Sequence, residues 1–436
     1  MSLPATRILI VTLTFTTIIF STNRSFASFI LEQTLTDPTP SRFGETFGTS
    51  VDVSGGRALI GSPALDSGAN TGGKAYLFDT STGNLLRTFD DPSGGGFGFG
   101  TDVDIEGDRA VVSDPFFGSG QAHLFDVSNG DLIRTFSDPT PTDDDFFGLL
   151  SFANDRILVG AIGDDTRGSN VGQAHLYSAG SGELIQTFND PTPTNEDSFG
   201  SVSLNEDFAL VGAPRDDTIA NDIGQAHLFD RETGNLLETF NDQTLSGGGE
   251  NTSNADDRFA SATSFSSNQA IIGAPFDDTN AIDSGDVHVF STENGEFVTT
   301  LEDPSPSEFE NFGASLATDN EDIVAGVPNG REGSRLAGNV VVFDADDFGL
   351  RASLSPPIHT EGGLFVDDFG ASVSIDASTL LVGAPDTLNA PLNTQDGAVF
   401  LYSRASGSRT PVALPPSVIL TSWGLVLMVA RACFQA

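Results

Sequence analysis

Short hydrophobic runs, each cut off by Gly, Pro, Asn or Asp, follow one another from residue 29 to about residue 403. The runs are rich in Val, Ile, Leu and Phe and too short for helices, and no stretch between the termini carries helical periodicity. Seven of them open on Phe-Gly or, once, Phe-Ala: Phe47, Phe99, Phe147, Phe199, Phe259, Phe312 and Phe369, spaced 48 to 60 residues apart. A Gly-Ala-Pro-like triplet follows each opener after about a dozen residues. A period of this size predicts a propeller, a solenoid or an array of modules.

The fourth repeat displays the unit. Phe199–Leu204, Phe208–Pro214, Gly224–Asp230 and Asn235–Asp242 are four strand-like runs bounded by turn residues. Between the third and fourth run, Asp230–Asn235 reads as a Gly-containing hairpin, and it recurs at Asp79–Asn84 and Asp126–Asp131. Four antiparallel strands per repeat describe a propeller blade. The ends of the array argue the same way. The seventh repeat has only three runs (369–375, 380–385 and 397–402), while residues 29–38 match the fourth run of the first repeat at Leu85–Pro92. An N-terminal strand that completes the last blade closes a ring and removes an exposed sheet edge; an open solenoid would need caps instead. The expected fold is all-β, a seven-bladed β-propeller of four-stranded antiparallel blades whose last blade is closed by the N-terminal strand.

Phe-Gly at the strand start, with Val211–Pro214, Val382–Pro385 and Ile272–Pro275 as Val/Ile-Gly-Ala-Pro, resembles the FG-GAP repeat of integrin α-chain propellers. Gly61–Pro63, Ser113–Pro115, Gly160–Ile162 and Gly326–Pro328 are degenerate copies. The bacterial extracellular form of the repeat is the closer likeness, and the resemblance covers roughly residues 29 to 403. It implies the fold; it does not imply one function. Integrin-like propellers often hold calcium in the link between strands one and two through Asp-x-Asp-x-Asp-Gly. Here Asp104–Asp108 is too short and Asp319–Asp322 lacks the glycine, so that role is not carried over.

Charge narrows the partners. Asp and Glu number 61 against 19 Lys and Arg, for a net charge of −42, with Lys74 the only lysine. Such a field disfavours nucleic acid and attracts cations or basic partners, and it also serves solubility. The one cysteine, Cys433, lies in the last four residues, which leaves the repeat region without a disulfide or a Cys nucleophile. Residues 1–27 read as a secretory signal, with Arg7, an apolar core from Ile8 to Phe20, and small residues before a cut at Ser28. The repeat domain occupies 28–411. Residues 412–436 carry a short apolar stretch, Ser417 to Ala430, between Val412–Pro416 and Arg431. This order resembles the PEP-CTERM sorting signals that Gram-negative bacteria process with exosortases, and implies export to the cell surface or matrix and transient membrane association. Ala413 in place of a proline and a single Arg depart from that pattern. A plain anchor is the other reading of a stretch this short.

Strand alternation sorts the links onto two faces. The strand one–two links and the Thr-Gly hairpins share one face; the longer strand two–three and blade-to-blade links share the other, where most acidic clusters fall. Asp164-Asp165-Thr166, Asp216-Asp217-Thr218 and Asp277-Asp278-Thr279 recur there in three consecutive repeats. Adjacent carboxylates and loop carbonyls suit a hard cation such as calcium; Asp and Thr also stabilise turns with no ion. Four of the five histidines, His123, His175, His227 and His288, share one repeat position that Tyr76 fills in the first repeat. Equivalent positions on neighbouring blades are separated by whole sheets, so they read as a packing position and not as a metal ring. No Ser-His-Asp order and no Gly-rich phosphate loop stands out, and the lone Trp423 lies in the tail. The leading expectation is a non-catalytic surface or matrix protein that presents the long-link face to a protein or glycan. An exported lyase or hydrolase with axial carboxylates, and a structural calcium-binding matrix component, are the alternatives.

Overall fold

The computed structural model describes residues 29–39, 45–64, 72–94, 98–243, 256–332, 335–357, 364–365, 367–386, 388–389, 394–395 and 397–405. The leader at 1–27 and the tail at 412–436, with Trp423 and Cys433, lie outside the described residues.

Seven four-stranded sheets, each antiparallel, make seven blades, and the described residues contain no helix. Blade one runs from Val51 to Asp90, blade two from Val103 to Ser137, blade three from Phe147 to Asn189 and blade four from Ser201 to Asn241. Blade five runs from Ala262 to Glu302 and blade six from Leu316 to Leu354. Blade seven takes its first three strands from Ser372–Asp376, Thr379–Ala384 and Ala398–Arg404, and its outermost strand is Phe29–Thr36, antiparallel to the third. The expected closure by the N-terminal strand is the observed one. The first strands surround the axis and line a cavity of about 520 Å³.

The two motifs that mark the repeat meet between blades. Each opener Phe is fully buried, and seven hydrophobic clusters each join residues of two consecutive blades. In Gly48, Gly100, Gly313 and Gly370 the opener glycine has φ between +86° and +95°, a region that disfavours side chains. Its N–H donates to the second strand of its own blade, as from Gly313 to the Gly326 carbonyl at 3.0 Å. Its own carbonyl lies against the triplet glycine of the preceding blade: a Cβ at Gly273 would collide with the Gly313 oxygen, and one at Gly326 with that of Gly370. At these junctions glycine is needed because two backbones approach with no room for a Cβ. Ala260 replaces the opener glycine once and adopts φ +74°.

The hairpins of the short-link face are held by Asp side chains that accept backbone N–H groups, as Asp79 does from Ser81 and Thr82 and Asp230 from Thr233. The opposite face carries the elaborations: a small hairpin, Arg331–Glu332 with Arg335–Leu336, and short pairings of Leu364–Phe365 with Leu388–Asn389.

Candidate functional site

The two carboxylates of each Asp-Asp-Thr link take different places. The second is a loop brace: Asp165, Asp217 and Asp278 each accept a backbone N–H from five residues on, at 2.7 Å, from Asn170, Asp222 and Asp283. The first turns inward. Asp164, Asp216 and Asp277 are at most 2% exposed, and each accepts the N–H of its own Thr with one oxygen. The other oxygen of Asp164 and of Asp216 accepts a threonine hydroxyl from the link after the preceding blade, Thr140 at 3.5 Å and Thr192 at 3.3 Å, and each of the three carboxylates lies beside a buried histidine.

That histidine comes from the third strand of the same blade, and a second aspartate from the residue just after the fourth strand of the preceding blade. Asp138, Asp164 and His175 form one cluster; Asp190, Asp216 and His227, and Asp242, Asp277 and His288, form the next two. A further cluster joins Asp91, Asp114 and His123. In each, one ligand-type atom per residue lies within 4.8 Å of the other two. The clusters therefore occupy the junctions of blades one and two, two and three, three and four, and four and five, on the long-link side. Strand register explains the repetition. His123, His175, His227 and His288 face Thr135, Thr187, Thr239 and Thr300 on the fourth strand, whose hydroxyls bond Nδ1 at 3.0 to 3.2 Å. This bond, with the opener Phe packed on the ring, fixes the imidazole so that Nε2 faces the carboxylates.

Each of these four histidines packs on the opener Phe of its own blade. The clusters were missed because their members come from three different repeat positions and from two blades. The usable signal was co-occurrence. In the register of the blades, Val341, Phe400 and Tyr76 take the histidine position in blades six, seven and one. Blade six has Gly330 where blade four has Asp216, and Pro356 stands where Asp242 would precede blade seven. The complete triad and the histidine appear and vanish together. Blade two retains the triad by another route: Asp114 ends its second strand, at the position of Ala213 in blade four.

Burial sets the electrostatics. It pushes the imidazoles of His123, His175 and His227 down to about 4, and that of His288 downward as well. The same desolvation raises Asp138 and Asp164, and raises Asp114 and Asp190 to about 6. The fourth junction is the most acidic. Burial, with repulsion from Asp277, pushes Asp257 up to about 8, and Asp286 up to about 9 where blades three and four have Gln173 and Gln225.

Around the axis, carboxylates tie blade to blade. Asp52 accepts the Ile105 N–H at 2.8 Å and the Ser374 hydroxyl at 2.7 Å. Asp102 accepts from Ser50 at 2.9 Å and from the Leu150 N–H at 2.8 Å, and Asp104 from the Phe152 N–H at 2.7 Å. In the strand one–two link of blade six, Asp319 and Asp322 pair with Arg404 instead of forming a cation loop.

Two exposed apolar groups remain. Phe116, Phe117, Ile219, Ile282 and Phe309, each 37–48% exposed, stand on long links. On the rim of the opposite face, fourth strands begin with exposed pairs such as Leu85-Leu86 and Leu236-Leu237.

Comparison with known sequences agrees with the architecture. Residues 251–290, which span the opener and the first three strands of blade five, match the family described as FG-GAP repeat. No curated protein matches the chain.

Proposed function

We propose that the chain is an exported, non-catalytic binding protein of the cell surface or extracellular matrix of a Gram-negative bacterium, and that its long-link face engages a protein or glycan. One observation carries the reading: large apolar side chains stand exposed among carboxylates on links of that face, which a closed ring of sheets holds in place. The net charge of −42 favours a neutral or basic partner surface over nucleic acid. The signal-like residues 1–27 and the sorting-like residues 412–436 support export and processing by an exosortase-type enzyme. Intact-mass analysis of native protein should find a chain that begins near Ser28; residues 1–27 in the mature protein would remove the export reading.

The enzyme reading rests on Asp52, Asp102 and Asp104, which line the axial cavity. Each has an oxygen engaged by an amide of a neighbouring blade, which favours a structural role over acid–base work. The deciding experiment screens the full chain against surface glycans and matrix proteins, then repeats it with Ile219→Ser, Ile282→Ser and Phe309→Ser. Binding should weaken with these variants and persist with Leu86→Ser and Leu237→Ser on the far rim. Unchanged binding in the first set would move the site elsewhere. Turnover of a glycan that is lost in Asp104→Asn would replace the binding reading with the catalytic one.

A further inference from the structure

We propose that the four Asp-Asp-His clusters between blades one and five are sites for a divalent transition cation of the zinc class, and that each bound ion ties one blade to the next. The inference stands apart from whatever the loop face binds.

The geometry is that of ligands around an ion-sized gap. His175 Nε2 lies 3.7 Å from an Asp138 oxygen and His288 Nε2 lies 3.6 Å from one of Asp242. Two ligand atoms each about 2.0–2.2 Å from a shared tetrahedral ion are about 3.3–3.5 Å apart. A few tenths of an ångström separate these pairs from a coordinating arrangement.

The histidines point to what is needed in the gap. All four Nε2 atoms are buried with no hydrogen-bond partner, on side chains at most 1% exposed, and the same holds for one oxygen each of Asp138 and Asp190. If Nδ1 donates to the threonine hydroxyl, the Nε2 lone pair faces carboxylates, which is repulsive without a cation. If Nε2 carries the proton instead, the Asp138 and Asp242 oxygens at 3.7 and 3.6 Å from His175 and His288 lie beyond hydrogen-bond reach, and Nε2 of His123 and His227 likewise has no acceptor. A neutral imidazole with a free Nε2, oriented through Nδ1 by a hydroxyl, is the arrangement of a metal ligand with its supporting partner. The donor set names the class. Calcium takes oxygen ligands, whereas a mixed imidazole and carboxylate set suits zinc and its first-row neighbours.

The chain supplies its own controls. Where Val341, Phe400 or Tyr76 replaces the histidine, the complete aspartate pair is absent too, and the Tyr76 hydroxyl fills its position by bonding Thr39 at 2.6 Å. Blade two keeps a second carboxylate, Asp114, although it has to come from another position. Turn chemistry alone would not tie these three positions together. The junction of blades four and five, with Asp286 as a further buried carboxylate, should bind most tightly.

The test uses the full chain, dialysed against a chelator, with elemental analysis and thermal unfolding before and after Zn²⁺, Mn²⁺ or Ca²⁺ is added. Up to four equivalents of Zn²⁺ or Mn²⁺ should bind and raise Tm. Asp216→Asn, which keeps an acceptor for the Thr218 N–H, and His227→Gln should each lower the stoichiometry by one. Should His227→Gln fail to fold, Asp216→Asn decides alone. A chain that carries no metal and gains no stability from either transition ion overturns the proposal. So does a chain that binds only calcium, with equal stoichiometry in both variants.

Discussion

The junctions from blade one to blade five and those that carry the ring from blade five back to blade one share a backbone and differ in what fills it. In the first group a buried imidazole and two carboxylates meet between the sheets. In the second the same slot holds Val341, Phe400 or Tyr76, embedded in apolar clusters. Apolar burial stabilises a junction directly, at roughly 25 cal/mol per Å². A buried polar group with no partner costs about 1–3 kcal/mol instead. Four copies of a costly arrangement, beside three positions where the same fold does without it, argue that something offsets the cost in the polar junctions. The closing junctions also draw on ion pairs: Arg404 of blade seven reaches Asp319, Glu321 and Asp322 of blade six.

The comparison breaks most visibly at an apolar slot. Phe400 is 1% exposed and packs on Phe369 with ring centroids 5.4 Å apart. Phe400→Ala should cost about 3–5 kcal/mol, and denaturant unfolding should return the same loss with and without chelator. A chelator-dependent loss would mean that the two kinds of junction are not distinct. A smaller effect is expected from placing a polar residue in an apolar junction. Val341→His adds bulk and an imidazole without a second carboxylate, and should cost about 1–3 kcal/mol. Asp303 follows the fourth strand of blade five as Asp190 follows that of blade three, so adding Gly330→Asp completes the aspartate pair. A Cβ at Gly330 would meet the Val327 carbonyl oxygen at 3.0 Å and Asn339 at 3.2 Å, so the added side chain requires these neighbours to give by a few tenths of an ångström. The double variant should recover stability when Zn²⁺ is added, and the single variant should not.

Most of the fold could be read from the chain because each motif reports a local requirement. Phe-Gly and Gly-Ala-Pro mark close backbone contacts between blades, and the truncated last repeat matches the spare strand at residues 29–36. The Asp-Asp-Thr links were visible as acidic pairs, but their division was not: Asp216 turns inward while Asp217 braces its loop, a choice made by packing against the previous blade. The clusters themselves escaped a reading that compared like with like. His227 was weighed against His175 and His288, each a blade away, and not against Asp190, which precedes it by 37 residues. The axial ties were equally hidden, because alternation places Asp102 and Ser203 on an inner strand without saying which amide or carbonyl they meet.

Those axial ties carry the comparison to the ring's centre and supply the smallest expected effect. Between the early blades the inner strands are tied by carboxylates, with Asp102 bonded to Ser50 of the opener of blade one and Leu150 of blade three. Later junctions use neutral hydroxyls, such as Ser203 to the Thr263 carbonyl at 2.6 Å and Ser315 to the Gly370 carbonyl at 2.8 Å. Only the early ties should respond to pH. Burial raises the Asp102 carboxyl to about 6 from its ordinary value of 3.8. Between those values the folded chain holds a proton that the unfolded chain has released, so stability falls as pH rises across this window. The contribution is complete below about pH 4 and lost once pH passes about 6. Asp102→Asn fixes a neutral amide in place of that titrating acid, so the variant's Tm should change less than the parent's between pH 4 and 6.5. Ser315→Ala, at a hydroxyl tie, should lower Tm by an amount that does not vary with pH. Calorimetry at four or five pH values separates the two. Parallel Tm curves for Asp102→Asn and the parent would show that this carboxylate titrates as it does in the unfolded chain, and would erase the contrast between the early and late ties.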